Sequence, residues 1–120
     1  MSDSSPVQAF LARVAQDASS ISFEETMQVI DACYRHAPCP FSVGEQHNES
    51  GQNNGSSKIL AFARMHQLDE RSTLNLFGDY YRRDVLEHPD GSDHANIRQF
   101  QAQGWEGVRF DDEALIPVKA

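Results

Sequence analysis

The chain has 120 residues, with 10 lysines and arginines against 18 aspartates and glutamates, so its formal net charge is −8. Such an acidic chain repels phosphate backbones and anionic lipid surfaces, which argues against nucleic-acid binding. No apolar run approaches the roughly 20 residues that span a bilayer, so the sequence predicts no membrane span.

The first third of the chain carries the signals of two amphipathic helices. Apolar residues recur at helical spacing over residues 7–14, which predicts a first helix. Ser22 and Glu25 match a capping box, which predicts that a second helix begins after Ser22. Pro38 and Pro40 cannot donate backbone hydrogen bonds, so this helix should end before them.

The cysteines and the first residues of the chain indicate the cellular compartment of the protein. Cys33 and Cys39 fit a reducing cytoplasm better than a disulfide scaffold. Their spacing with His36 matches none of the usual zinc motifs, and we predict neither a metal site nor a cofactor. The first residues lack the basic and apolar regions of a secretory signal peptide.

A loop and a third helix are predicted next. Residues 41–55 are rich in turn formers, apart from a short strand at 41–43. Ser56 or Ser57 should cap the third helix. Because residues 59–63 are apolar on nearly every side, we expect this helix to be the most buried one.

Two more helices complete the predicted set. Asp69 should cap a fourth helix, whose apolar face extends to Val85. Ser92 or Asp93 should cap a fifth helix, with Gly104 in its C-terminal turn.

The tail of the chain adds one strand signal. Residues 108–110 alternate like a strand and can pair with residues 41–43. The sequence therefore predicts a mainly α fold, a single compact domain over residues 1–120 with about five helices. A short two-stranded ribbon (41–43 with 108–110) is the only sheet expected.

A first candidate site lies at residues 51–58, Gly-Gln-Asn-Asn-Gly-Ser-Ser-Lys, which open the third helix. Glycines, a helix N-terminus and a lysine can together hold an anion, which makes Asn53, Ser56 and Lys58 candidate ligand-binding residues. The spacing differs from that of a P-loop. The alternative is a turn with a serine cap and a solvated lysine.

A second candidate site lies at residues 88–94, His-Pro-Asp-Gly-Ser-Asp-His. Asp90, Asp93 and His94 can do acid–base chemistry, which makes them candidate catalytic residues. The alternative is a Pro-Asp-Gly turn followed by a helix cap, which explains every residue of the segment except His94.

Asn96 and Arg98 follow this segment and are further candidate ligand-binding residues, because no capping or turn role accounts for them. With this segment in place, the chain resembles the HopJ type III effector proteins, a small bacterial family. The resemblance rests on residues 51–58, 77–82, 84–86, 89–98 and 104–108. Ser57 stands where many members have a cysteine, so no role for a thiol transfers to it. No catalytic residues are established for the family, and none transfers.

The resemblance implies a bacterial cytoplasmic protein that a type III system can deliver into a host cell. The first hypothesis is a protein that binds a host or bacterial partner, through a surface site combining residues 53–58 with residues 89–96. The second is a hydrolase or transferase that uses Asp90, Asp93 and His94, with Lys58 holding an anionic substrate. A third is a purely structural account, in which both motifs are helix caps and inter-helix hydrogen-bond networks. The second hypothesis requires Lys58 and His94 to share a pocket.

Overall fold

A computed structural model describes residues 6–117. Its helices are α1 (Pro6–Asp17), α2 (Phe23–Cys33), α3 (Asn54–Met65), α4 (Glu70–Asn75), α5 (Asp79–Arg82) and α6 (Ala95–Gln103). Its strands are β1 (Tyr34–His36), β2 (Phe41–Val43), β3 (Gln46–Asn48), β4 (Val108–Phe110) and β5 (Leu115–Pro117). Within these residues, no helix has both the length and the apolar character needed to cross a membrane.

The prediction of a mainly α fold with at most one ribbon is wrong, because the protein is α+β with two small antiparallel sheets. The expected pairing of β2 with β4 is present, with Phe41 opposite Phe110. However, β3 pairs with the other side of β2, and β1 pairs with β5 in a second sheet. The missed strands have three residues each, which is too short for a pattern of alternation to stand out.

The predicted fourth helix is also wrong, because it is interrupted at Gly78. This glycine has a positive φ of 64°, which separates α4 from α5. A Cβ atom at this position would lie 2.5 Å from the backbone nitrogen of Phe23. The chain therefore passes directly over the start of α2, and only glycine allows both the conformation and the approach.

Two predicted helix starts are confirmed. The Glu25 amide donates to the Ser22 hydroxyl at 3.1 Å, and the Ser22 amide donates to the Glu25 carboxylate at 3.0 Å. Asp69 accepts a hydrogen bond from the Ser72 amide at 2.7 Å. These local capping patterns can be read from the sequence because every partner lies within one helical turn.

The other two predicted caps are wrong. Helix α3 begins after Asn53 and helix α6 after His94, and both residues are left-handed, with φ of 51° and 52°. The expected cap Ser57 is buried within α3, with its hydroxyl 3.1 Å from Nε2 of His36. Asp93 pairs with Arg98. Ser57 therefore contacts a residue of β1, and Asp93 pairs with a side chain of α6, instead of capping a helix.

Helix α3 is the centre of the core, as predicted. Residues 59–63 are all buried, and Phe62 makes edge-to-face contacts with Phe10 and Tyr34 at centroid distances of 6.0 and 5.8 Å. Helix α3 packs against α2, while α6 packs against α4 and β2. This arrangement fixes the positions of the first turns of α3 and α6, which form the site described below.

Two half-buried histidines should make the protein less stable in mild acid. Burial lowers the pKa of His36; the charge of Lys58 lowers this pKa further, and the charge of Asp31 raises it. Burial also lowers the pKa of His66. As pH falls, His36 and His66 are therefore protonated at a higher pH in the unfolded chain than in the folded protein. This contribution to stability is full above the ordinary histidine pKa of 6.5 and is lost as pH falls through the lower pKa of the folded state.

We expect the urea midpoint to fall between about pH 7.5 and about pH 5, a window above the ordinary pKa of most carboxylates. The single variants His36→Gln and His66→Gln should each flatten this dependence, whereas His88→Gln, at an exposed position, should not. A midpoint that stayed constant or rose on acidification would contradict this account.

Candidate binding cleft

The two candidate segments meet in a cleft of about 310 Å³, here called the polar cleft. It lies where α3 and α6 begin. Its lining residues are mostly polar: Gln46, Asn53, Ser56, Ser92, His94, Ala95, Asn96 and Ile97. The structure therefore brings four of the sequence-predicted site residues, Asn53, Ser56, His94 and Asn96, to one place.

A buried hydrogen-bond network supports this cleft. Asn48, which is fully buried, exchanges side-chain amide hydrogen bonds with Asn96 at 2.9 and 3.0 Å. Asn53 donates to the same Asn48 oxygen at 2.7 Å, and Asn48 also donates to the carbonyl of Phe41. Since Asn53 precedes α3 and Asn96 lies in the first turn of α6, one side chain ties both helix starts together.

The backbone at the cleft is unusual in the same way on both sides. Asn53 and His94 each hold the left-handed conformation at the start of a helix. This conformation is uncommon for residues other than glycine, although asparagine and histidine adopt it more often than most. Neither residue's side chain caps its helix, so amide groups of both first turns remain available to solvent or a ligand.

His94 is held from behind by carboxylates and on one side by an aromatic ring. Its Nε2 lies 3.0 Å from Asp84 and 3.8 Å from Asp93. Its ring lies 5.2 Å from that of Tyr80, measured between centroids. The imidazole is thus fixed at the edge of the polar cleft, with part of its surface exposed.

A second cleft, of about 280 Å³, adjoins the first and is here called the aromatic cleft. It shares Asn53, Ser56, His94 and Ile97 with the polar cleft and adds Phe23, Gly55, Phe77 and Tyr80. The two clefts therefore adjoin along these four shared residues, and we treat them as one combined cleft with a hydrogen-bonding half and a ring-lined half. Among residues 6–117, none of those that line either half is an aspartate, glutamate, lysine or arginine.

Arg98 lies behind the cleft and organises the segment that leads into it. Its guanidinium donates to the carbonyls of Asp93, His88 and Asp84 at 2.6, 2.8 and 3.1 Å. It also donates to the Asp93 carboxylate at 2.6 Å, which lowers the pKa of that group. These contacts make Arg98 a positioning residue for His94, and it does not line the cleft.

The remaining candidates lie elsewhere. Lys58 pairs with Asp31 of α2 at 2.8 Å and lines neither half of the cleft. Asp90 is exposed and also lies outside the lining. The structure thus separates Lys58 from the cleft that contains His94, whereas the hydrolase or transferase hypothesis needs them in one pocket.

Sequence reasoning missed several residues of the cleft. Asn48 looked like part of a turn-rich loop, and Gln46 lies in a strand too short to recognise. Tyr80 lies in the predicted fourth helix, where the sequence gives it no distinguishing feature. A local pattern could not have identified these residues, because their partners come from distant parts of the chain.

Comparisons with known proteins agree with the resemblance seen in the sequence. The chain matches the family described as HopJ type III effector protein over residues 7–115, a range that includes both cleft segments. It is similar to the crystal structure of VPA0580, a protein of unknown function, with a TM-score of 0.91 and 45% identity over 92% of each chain. No protein with a curated description matches it. The chain therefore belongs to the HopJ type III effector protein family.

Proposed function

We propose that the protein acts by binding, and that the combined polar and aromatic cleft holds the bound group. The observation that carries this proposal is the convergence of two segments, distant in the sequence, on one cleft. Concave sites with a few converging polar groups beside apolar ones are the usual form of binding sites. The buried asparagines below the cleft keep these groups in place before a partner arrives.

Binding accounts for the arrangement better than hydrolysis or group transfer. Lys58, the expected anion-holding group, is already paired with Asp31 outside the cleft. Of the three expected acid–base residues, His94 lines the cleft, whereas Asp90 and Asp93 do not. Acid–base groups must lie within reach of the same substrate.

The family description guides the choice of partner. Effectors of type III systems are proteins delivered into host cells, and this supports a host or bacterial protein as the source of the bound group. On this proposal the chain is made in the bacterial cytoplasm and exported by such a system.

A blocking variant tests the proposal. Ser56→Met places a longer side chain in the lining shared by both halves of the cleft, and methionine is compatible with a helix. Ala12→Met adds the same side chain at an exposed position of α1 and is the matched control. Ligand-observed NMR with a library of small polar and aromatic fragments measures binding to each protein.

We expect the wild type and Ala12→Met to bind the same fragments. Ser56→Met should lose at least about tenfold in affinity, since a blocked pocket removes roughly 1.4 kcal/mol or more of binding free energy. Fragment binding that is unchanged in Ser56→Met, or a library without a single binder, would overturn the proposal.

A further inference from the structure

We infer that the group held in the cleft is the uncharged aromatic side chain of a tyrosine on the partner protein. This inference rests on the proposed function and specifies its ligand. Its ring would lie in the aromatic half, and its hydroxyl would reach the polar half.

The first support is the ring-lined wall. Tyr80 is 42% exposed, although its ring makes an edge-to-face contact with Phe23 at 4.9 Å and a tilted contact with His94. A large ring held by two neighbours and still open to solvent offers a pre-positioned surface for another ring. Aromatic pairs at such distances contribute roughly 0.5–1.5 kcal/mol beyond burial of their area.

The second support is the polar half directly beside that wall. Asn53, Ser56 and His94 line both halves, so an amide, a hydroxyl and an imidazole lie next to the aromatic cleft. These groups can both donate and accept hydrogen bonds, as a phenol hydroxyl requires. A ligand with a ring at one end and a hydroxyl at the other matches an aromatic cleft that adjoins a polar one.

The third support is charge. The chain carries −8, yet within the part that the structure describes no acidic or basic side chain lines either half of the cleft. Asp84 and Asp93 lie just behind His94 and would oppose an anionic group near it. The two helix N-termini at the cleft attract negative charge, but these carboxylates offset that attraction, so the nearby side-chain charges favour a neutral hydroxyl over a carboxylate or a phosphate.

A graded set of probes tests the inference on the isotope-labelled full chain. N-acetyl-tyrosinamide carries the proposed group, and N-acetyl-phenylalaninamide lacks only the hydroxyl. N-acetyl-cyclohexylalaninamide keeps the size but has a saturated ring. Dissociation constants come from NMR titrations that follow the amide signals of Tyr80, Ser56 and His94.

We expect affinity to fall in that order, with a loss of about two- to tenfold from the aromatic to the saturated ring. Tyr80→Phe should keep the affinity for N-acetyl-tyrosinamide, whereas Tyr80→Leu should lower it by a similar factor, with thermal unfolding confirming that both variants fold. Equal binding of the aromatic and saturated probes, or an unchanged affinity in Tyr80→Leu, would overturn the inference. A fourth probe, N-acetyl-phosphotyrosinamide, carries an anionic group, and tighter binding of it than of N-acetyl-tyrosinamide would overturn the inference too.

The two proposals can fail separately. If library fragments bind the cleft but the tyrosine probe does not, the binding function stands and this inference falls. If the cleft binds neither fragments nor probes, both fall.

Discussion

Replacing Asn48 by alanine should lower the free energy of unfolding by about 2–4 kcal/mol. The variant removes a side chain that exchanges two hydrogen bonds with buried Asn96 and accepts a third from Asn53. Buried Asn96 would then lose both hydrogen bonds that it exchanges with Asn48, and an unsatisfied buried polar group is costly. Urea unfolding followed by circular dichroism measures the change.

The same variant should also weaken fragment binding, because Asn48 connects the starts of α3 and α6. Asn54→Ala is the matched control, since it makes the same chemical change at an exposed position one residue after Asn53. We expect it to alter stability by less than about 1 kcal/mol. If Asn48→Ala and Asn54→Ala lost equal stability, the network would not hold the helix starts.

Replacing Gly78 by alanine should cost about 3 kcal/mol or more. The new Cβ would lie 2.5 Å from the backbone nitrogen of Phe23, and the φ of 64° is itself unfavourable for alanine. The backbone has to move in response, because the atom it meets is not the end of a flexible side chain. Tyr80, which follows in α5, would shift away from Phe23 and lose its place in the aromatic cleft.

The variant Gly51→Ala separates the cost of the positive φ from the cost of the close approach to Phe23. Gly51 also has a positive φ, of 88°, but nothing lies within 4 Å of a Cβ atom built there. We expect it to lose only the backbone contribution, about 1–2 kcal/mol. If Gly78→Ala and Gly51→Ala lowered the free energy of unfolding equally, the close approach to α2 would not contribute to the cost.

The parts of the fold that the sequence revealed are local ones. The Ser22–Glu25 capping box and the Asp69 cap each join residues within one turn, so their pattern is complete in a short window. Helix α3 was recognisable because residues 59–63 are apolar on every side. The pairing of residues 41–43 with 108–110 was the one long-range strand pairing proposed, and the register confirms it.

The errors have tertiary causes. An apolar stripe runs on beyond Gly78, so periodicity alone extends the helix, and only the packing against Phe23 shows why it stops. The starts of α3 and α6 lie at left-handed residues, Asn53 and His94, rather than at the serine and aspartate that local rules favour. Both exceptions occur at the edge of the cleft, where the backbone departs from its usual preferences to form the site.

The candidate site could be predicted only in part, because its assembly also depends on long-range contacts. Its two segments stood out as polar stretches at helix starts, but their meeting depends on Asn48, whose role no local pattern reveals. The aromatic half was overlooked because Tyr80 approaches Phe23 only through the turn at Gly78. Residues that act through long-range contacts are therefore the ones that sequence reasoning omits.

The most direct measurement is a crystal structure of the protein soaked with the fragments that bind in solution. The account predicts ligand density between the first turns of α3 and α6, in contact with Asn53, Ser56 and the ring of Tyr80. The protein also has a groove between α1 and α2 beside Phe10, and another between α3 and β5 beside Leu115. Density confined to either groove, with the combined cleft empty, would contradict the account.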